Sequence, residues 1–106
     1  MHLGSLRTFG YLGNSNLKHI LLNNNSHESV GGQPTSAAGI NIEKLVKSLG
    51  YRNYFKISQI KKINFTIEKF LNSKGPSFLE VLISMGSLDN LSRPNDLIKI
   101  KNRFIR

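Results

Sequence analysis

The sequence predicts an α/β fold, a partial parallel sheet joined by crossover helices. Short apolar runs of strand length alternate along the chain with segments of helical period, the pattern of parallel strands linked by helices. The run 17–22 (LKHILL) is nearly continuous in apolar residues, as a strand covered on both faces requires. The helical segments end at glycines, which supply the left-handed conformation that stops a helix.

Residues 1–13 place Leu3, Leu6, Phe9 and Leu12 three apart, ahead of Gly13, and predict a short helix already under way at Met1. No Ser, Thr, Asp or Asn precedes its first apolar residue as a cap, so the chain is expected to start inside an element. After the turn at 13–16 comes the strand 17–22, then a polar, glycine-rich stretch, 23–39, without period. Loops longer than about a dozen residues are uncommon in compact domains unless they are functional. Asn41 is positioned to cap a helix whose face is Ile42, Leu45, Val46 and Leu49 and which Gly50 ends. Tyr54, Phe55 and Ile57 predict a second strand. Ser58 is read as the cap of a longer helix through Ile60, Ile63, Ile67, Phe70 and Leu71, stopping at Lys74-Gly75-Pro76. Residues 78–83 (FLEVLI) predict the third strand, 86–96 a loop, and 98–106 a helix or a frayed tail. The whole chain, 1–106, is read as the C-terminal part of one domain. With three strands and both faces of a parallel sheet to cover, the piece is expected to belong to something larger.

Composition narrows the function. Lys and Arg number 15 against 6 Asp and Glu, a net charge of +9. Only Lys99, Lys101, Arg103 and Arg106 form a dense run, and the rest are spread along helical segments, so the charge reads as a solvated surface and no nucleic-acid partner is expected. The absence of cysteine excludes disulfide frameworks, zinc ribbons and thiol nucleophiles. No stretch approaches the roughly 18 apolar residues of a membrane span, and a cytoplasmic, membrane-free protein is expected.

In open α/β sheets ligands bind beyond the carboxyl ends of strands, which makes 23–39 the leading site. Asn23, Asn24, Asn25 and Ser26 offer hard oxygen donors suited to Mg²⁺ or Ca²⁺, although three Asn after a strand also read as turn formers. His27-Glu28 lacks the second His of a zincin motif, because residue 31 is Gly. Gly31-Gly32 allows backbone to approach a phosphate but matches no complete phosphate-binding fingerprint. His19, inside an apolar strand, reads as a structural residue.

The run LKHILLNNNSHESVGGQPT, 17–35, resembles the second half of the diphosphate-binding motif of thiamine-diphosphate-dependent decarboxylases, and is most similar to the phosphonopyruvate decarboxylases among them. The family motif opens with Gly-Asp-Gly and closes with a strand ending in Asn-Asn or Asp-Asn. MHLGSLRT (1–8) matches the intervening helix, while GPSFLEVLIS (75–84) and the following SRP (92–94) resemble the last strand of the same domain. The 106 residues contain no Gly-Asp-Gly. The resemblance therefore implies an N-terminally truncated thiamine-diphosphate-binding domain, inactive alone and paired in the intact enzyme with a pyrimidine-binding domain or a second copy. It further implies Asn24 and Ser26 as Mg²⁺ ligands, the first through its side-chain oxygen and the second through its carbonyl. Asn24, Ser26, His27 and Glu28 would lie at the cofactor's diphosphate, and Ser29, Val30, Gly31 and Gly32 at the pocket of a small 2-oxo acid. His27 is the candidate catalytic residue, with a role in loop structure equally open. The implied reaction is non-oxidative decarboxylation of 3-phosphonopyruvate to phosphonoacetaldehyde. Sulfopyruvate decarboxylases are expected to carry Tyr-Gly where His27-Glu28 stand, so a subunit of that type is the second reading, and a non-catalytic basic module or remnant the third.

Overall fold

A computed structural model describes residues 3–86 and 95–105. Its centre is a three-stranded parallel sheet of β1 (Lys18–Asn23), β4 (Asn53–Ile57) and β5 (Ser77–Leu82), in the order β1-β5-β4. The last strand in sequence thus lies between the other two. Leu21 and Lys56 both pair with Glu80, and Asn23 pairs with Leu82.

Strand alternation divides the sheet into two faces. His19, Leu21, Asn23, Phe78, Glu80, Tyr54 and Lys56 share one face. On it Val46, Tyr51 and Phe78 form a buried cluster, against which Leu6 of α1 (Leu3–Leu12) and Ile42 of α2 (Ile42–Ser48) pack. On the other face Leu79, Ile57 and Phe70 form a second cluster, completed by Ile63 of α3 (Ile63–Asn72). α2 meets the sheet with the stripe that its period set out, whereas in α1 only Leu6 of the predicted stripe packs inward, with Leu3, Phe9 and Leu12 exposed, and in α3 Ile63 and Phe70 pack while Ile67 and Leu71 stay exposed.

Asn41 caps α2 as its position predicts: the side-chain oxygen accepts a hydrogen bond from Lys44 N at 2.9 Å. Gly10 of α1 lies so close to the end of α2 that a Cβ there would stand 2.1 Å from the Leu49 carbonyl oxygen, and Arg7 reinforces that contact by donating to the same oxygen at 3.1 Å.

Two expectations are corrected. Ser58 caps nothing: a 3-10 turn at Ile60–Lys62 comes first and α3 starts at Ile63, so the apolar period ran through two elements. The stretch 23–39 is not structureless, since β2 (Ser26–His27) and β3 (Gln33–Pro34) pair antiparallel and 3-10 turns follow at Glu28–Val30 and Ser36–Gly39. Two-residue strands leave too short a pattern for periodicity to register. The chain closes in α4 (Leu97–Phe104), capped by Asp96, which settles the choice between helix and tail. The predicted start at Met1, the SRP match and most of the loop 86–96 lie outside the described residues. No helix among the described residues is long and apolar enough to cross a membrane.

Candidate functional site

β1 ends at Asn23, and the next three residues turn the chain over the carboxyl edge of the sheet. Asn23 Oδ1 accepts from Asn25 N at 3.1 Å, and Asn24 Oδ1 accepts from Ser26 N at 3.0 Å, two Asx turns one residue out of step. Between them Asn25 takes a left-handed conformation, φ 55°, which Asn tolerates better than most residues. Its carbonyl accepts from Thr35 N at 2.9 Å, fastening the turn to the far end of the hairpin. Asn24 Nδ2 donates to Glu28 Oε2 at 2.5 Å, and the other oxygen of Glu28 accepts from Gly86 N, beyond β5. Asn24, Ser26 and Glu28 are therefore brought together.

The remaining predicted residues are arranged differently. His27 is exposed, pairs with Gln33, and accepts from Gly32 N at 3.0 Å through its carbonyl. Ser29 and Val30 are exposed in the 3-10 turn. Gly31 and Gly32, with φ 111° and 78°, form the hairpin corner, a backbone that a side chain would strain.

Beside this turn a cleft of about 460 Å³ opens over the face that carries Glu80, between the strand ends and the start of α2. Asn23, Asn25, Asn41, Tyr54, Lys56 and Glu80 are among its walls, whereas Asn24, Ser26, His27 and Glu28 are not. Glu80 is only 3% exposed. Its Oε1 accepts from Asn23 Nδ2 at 2.9 Å, its Oε2 accepts from the Tyr54 hydroxyl at 2.5 Å, and Lys56 Nζ stands 3.6 Å away. Burial pushes the Glu80 carboxyl up, but the Tyr54 hydroxyl, the Asn23 amide and the Lys56 ammonium outweigh it and hold it below the usual carboxylate range. Burial and the neighbouring Glu80 charge push the Tyr54 hydroxyl up, so it remains a donor.

Sequence reasoning passed over Glu80, Tyr54 and Lys56. The signal was a lone acid in the apolar run FLEVLI, since a carboxylate inside a buried strand needs partners from neighbouring strands. His19 fulfils its structural reading: its Nδ1 lies 2.9 Å from the Tyr51 hydroxyl, the ring packs against Phe78, and burial lowers its pKa.

The turn can hold a small hard cation. Asn24 Oδ1 keeps a lone pair beyond its bond to Ser26, and Ser26 faces Pro34 in the non-hydrogen-bonded pair next to the Asn25–Thr35 bond, so the Ser26 carbonyl points away from β3. Ser26 Oγ is buried with no hydrogen-bond partner among the described residues, a polar atom left unmet at the same place.

Residues 1–81 match the family model of the thiamine pyrophosphate enzyme C-terminal TPP binding domain. The chain is 34% identical over 94 residues to a phosphonopyruvate decarboxylase of Streptomyces viridochromogenes and 32% identical over 94 residues to one of Streptomyces hygroscopicus. These alignments cover 89% of this chain but 24% and 23% of the two relatives, so the chain spans about a quarter of their length. With a parallel sheet, an Asn-rich turn at the carboxyl end of β1 and a family model matching most of its length, the chain belongs to the thiamine pyrophosphate enzymes, as their C-terminal TPP-binding domain.

Proposed function

We propose that the chain supplies the diphosphate-binding turn of a thiamine-diphosphate-dependent enzyme that decarboxylates a small 2-oxo acid without oxidation, with 3-phosphonopyruvate as the substrate and phosphonoacetaldehyde and carbon dioxide as products. The observation that carries the reading is the coincidence of the family match with an oxygen-rich turn at the carboxyl end of a parallel strand. The substrate rests on two relatives that are both phosphonopyruvate decarboxylases. The cofactor, when bound, supplies the electron sink for loss of carbon dioxide.

Asn24 Oδ1 and the Ser26 carbonyl hold Mg²⁺, which in such sites takes further oxygens from phosphate, water and a carboxylate. Among the described residues no three His, Asp or Glu cluster into a metal site, so these two oxygens need ligands from outside the turn. Glu28 orients the Asn24 amide by accepting from Nδ2, which turns Oδ1 the other way. The hairpin corner at Gly31-Gly32 and the exposed Ser29 and Val30 border the substrate, and the exposed His27 imidazole meets its phosphonate or relays a proton. A pyrimidine-binding domain, from the same protein or a second copy, completes the site, and the enzyme works in the cytoplasm.

Asn24→Ala in the full-length protein tests the reading. Calorimetric titration with thiamine diphosphate at fixed Mg²⁺ should show affinity about tenfold or more below wild type, because one of about six Mg²⁺ ligands is lost. Unchanged affinity would reduce Asn24 to a turn former, and turnover without phosphonopyruvate preference would remove the substrate assignment.

A further inference from the structure

We infer that Glu80 is a positioning residue for the ion-binding turn, acting through Asn23. The inference rests on the proposed role of Asn24 and Ser26 and adds to it a group on another strand. Glu80 stands in the central strand, between Phe78 and Leu82 on the same face, where an apolar side chain would pack at no desolvation cost. Its carboxylate is instead held from two sides. Tyr54 and Lys56 of β4 fix Oε2, and Oε1 is left to receive Asn23 Nδ2.

That bond decides which way the Asn23 amide faces. An ionised carboxylate only accepts, so the NH₂ group must point to Glu80 and Oδ1 must point along the chain, where it meets Asn25 N at 3.1 Å. With the amide reversed, two oxygens would oppose each other at Glu80 and Asn25 N would lose its acceptor. The orientation of Asn23 in turn holds Asn25 at φ 55°, and from that residue the chain presents Ser26 to the Asn24 side chain. A link of this kind, from a sheet carboxylate to a ligand loop, is what outer partners of metal ligands provide.

The test is a charge-conserving exchange in the full-length protein. Asn23→Asp alone sets a carboxylate against Glu80. Asn23→Asp with Glu80→Gln restores the hydrogen bond with donor and acceptor swapped, while the introduced carboxylate still accepts from Asn25 N. The half-saturating Mg²⁺ concentration for thiamine diphosphate binding, read by calorimetry, should rise about tenfold or more in Asn23→Asp and in Glu80→Leu, the usual cost of losing such a partner, and return to within about threefold of wild type in the double variant. Circular dichroism checks that each variant is folded, and the conservative pair keeps the test alive where Glu80→Leu unfolds. A folded double variant no better than Asn23→Asp, or a folded Glu80→Leu with wild-type Mg²⁺ dependence, overturns the inference. If wild type takes up no cofactor, the proposed function falls instead, and the link is read in the free protein by NMR: hydrogen-exchange protection of the Asn25 amide should drop in Asn23→Asp and recover in the double variant, and protection unchanged throughout overturns it.

Discussion

Tyr54→Phe removes one oxygen from the Glu80 cluster and leaves the ring packed against Val46, Tyr51 and Phe78. At neutral pH Glu80 is ionised, and the substitution deletes one of the two direct hydrogen bonds to its carboxylate, leaving Oε2 with Lys56 at 3.6 Å. A hydrogen bond to a charged group contributes about 1.5–3 kcal/mol and one between neutral groups about 1. The expected cost is therefore about 2 kcal/mol at pH 7. The sign of its pH dependence follows from the depressed Glu80 pKa. A carboxyl whose folded pKa lies below its unfolded value of about 4.3 adds stability above that value and loses it as pH falls through the folded pKa. Tyr54 is one source of that depression, so the cost of Tyr54→Phe should shrink in acid toward the neutral-bond figure. Urea denaturation followed by circular dichroism at pH 7 and in acid, with trimethylamine N-oxide added equally to hold a folded baseline, measures both. A cost under about 0.5 kcal/mol at pH 7, or the same cost at both pH values, would show that the Tyr54 hydroxyl does not support a buried charge.

Gly10→Ala should destabilise by about 1–3 kcal/mol, because a methyl 2.1 Å from the Leu49 carbonyl forces α1 off the end of α2; a melting curve identical to wild type would mean that α1 slides without cost. Phe70→Ala should cost about 3–5 kcal/mol, since the ring is 1% exposed and meets Phe55 edge-on at 5.9 Å; a loss under 1 kcal/mol in urea titration would place Phe70 outside the core. The 106 residues alone should melt with low cooperativity and associate, because only six hydrophobic side chains are fully buried among the described residues while Ile20 and Leu22 of β1 are 53% and 63% exposed; a sharp, reversible monomer transition above about 55 °C would refute this.

What the sequence made legible was whatever repeats over several residues. The α2 face of Ile42, Leu45, Val46 and Leu49 and the α3 pair Ile63-Phe70 appear where the period placed them, in α1 only Leu6 of the predicted stripe packs inward, and the strands 17–22 and 78–83 shift by one residue at their ends. Strand order was not legible. β5 inserts between β1 and β4, and that pairing joins residues far apart in the chain, which no local pattern records. The cap at Ser58 failed for a related reason: Ile60 and Ile63 fit one helical period, and the 3-10 turn that separates them differs from an α-helix by a single hydrogen-bond step.

The site shows how position divides identical residues. Asn23, Asn24 and Asn25 are indistinguishable as letters, and the reading of the run as turn formers or ion ligands could not be resolved from composition. Asn23 is the last residue of β1, so strand alternation sends its side chain to the face of Leu21 and Glu80, where it serves the sheet. Asn24 is the first residue past the strand, free of that constraint, and its side chain is engaged within the turn by Ser26 N and Glu28. Asn25 takes the left-handed backbone that turns the chain, and its contribution is conformational. A shift of β1 by one residue would exchange these roles, sending Asn24 to Glu80 and leaving Asn25 as the first residue of the turn. The division of roles in the turn is thus set by strand register, and register is held by the Asn23–Glu80 hydrogen bond and by the apolar pairs Ile20–Leu79 and Leu22–Val81.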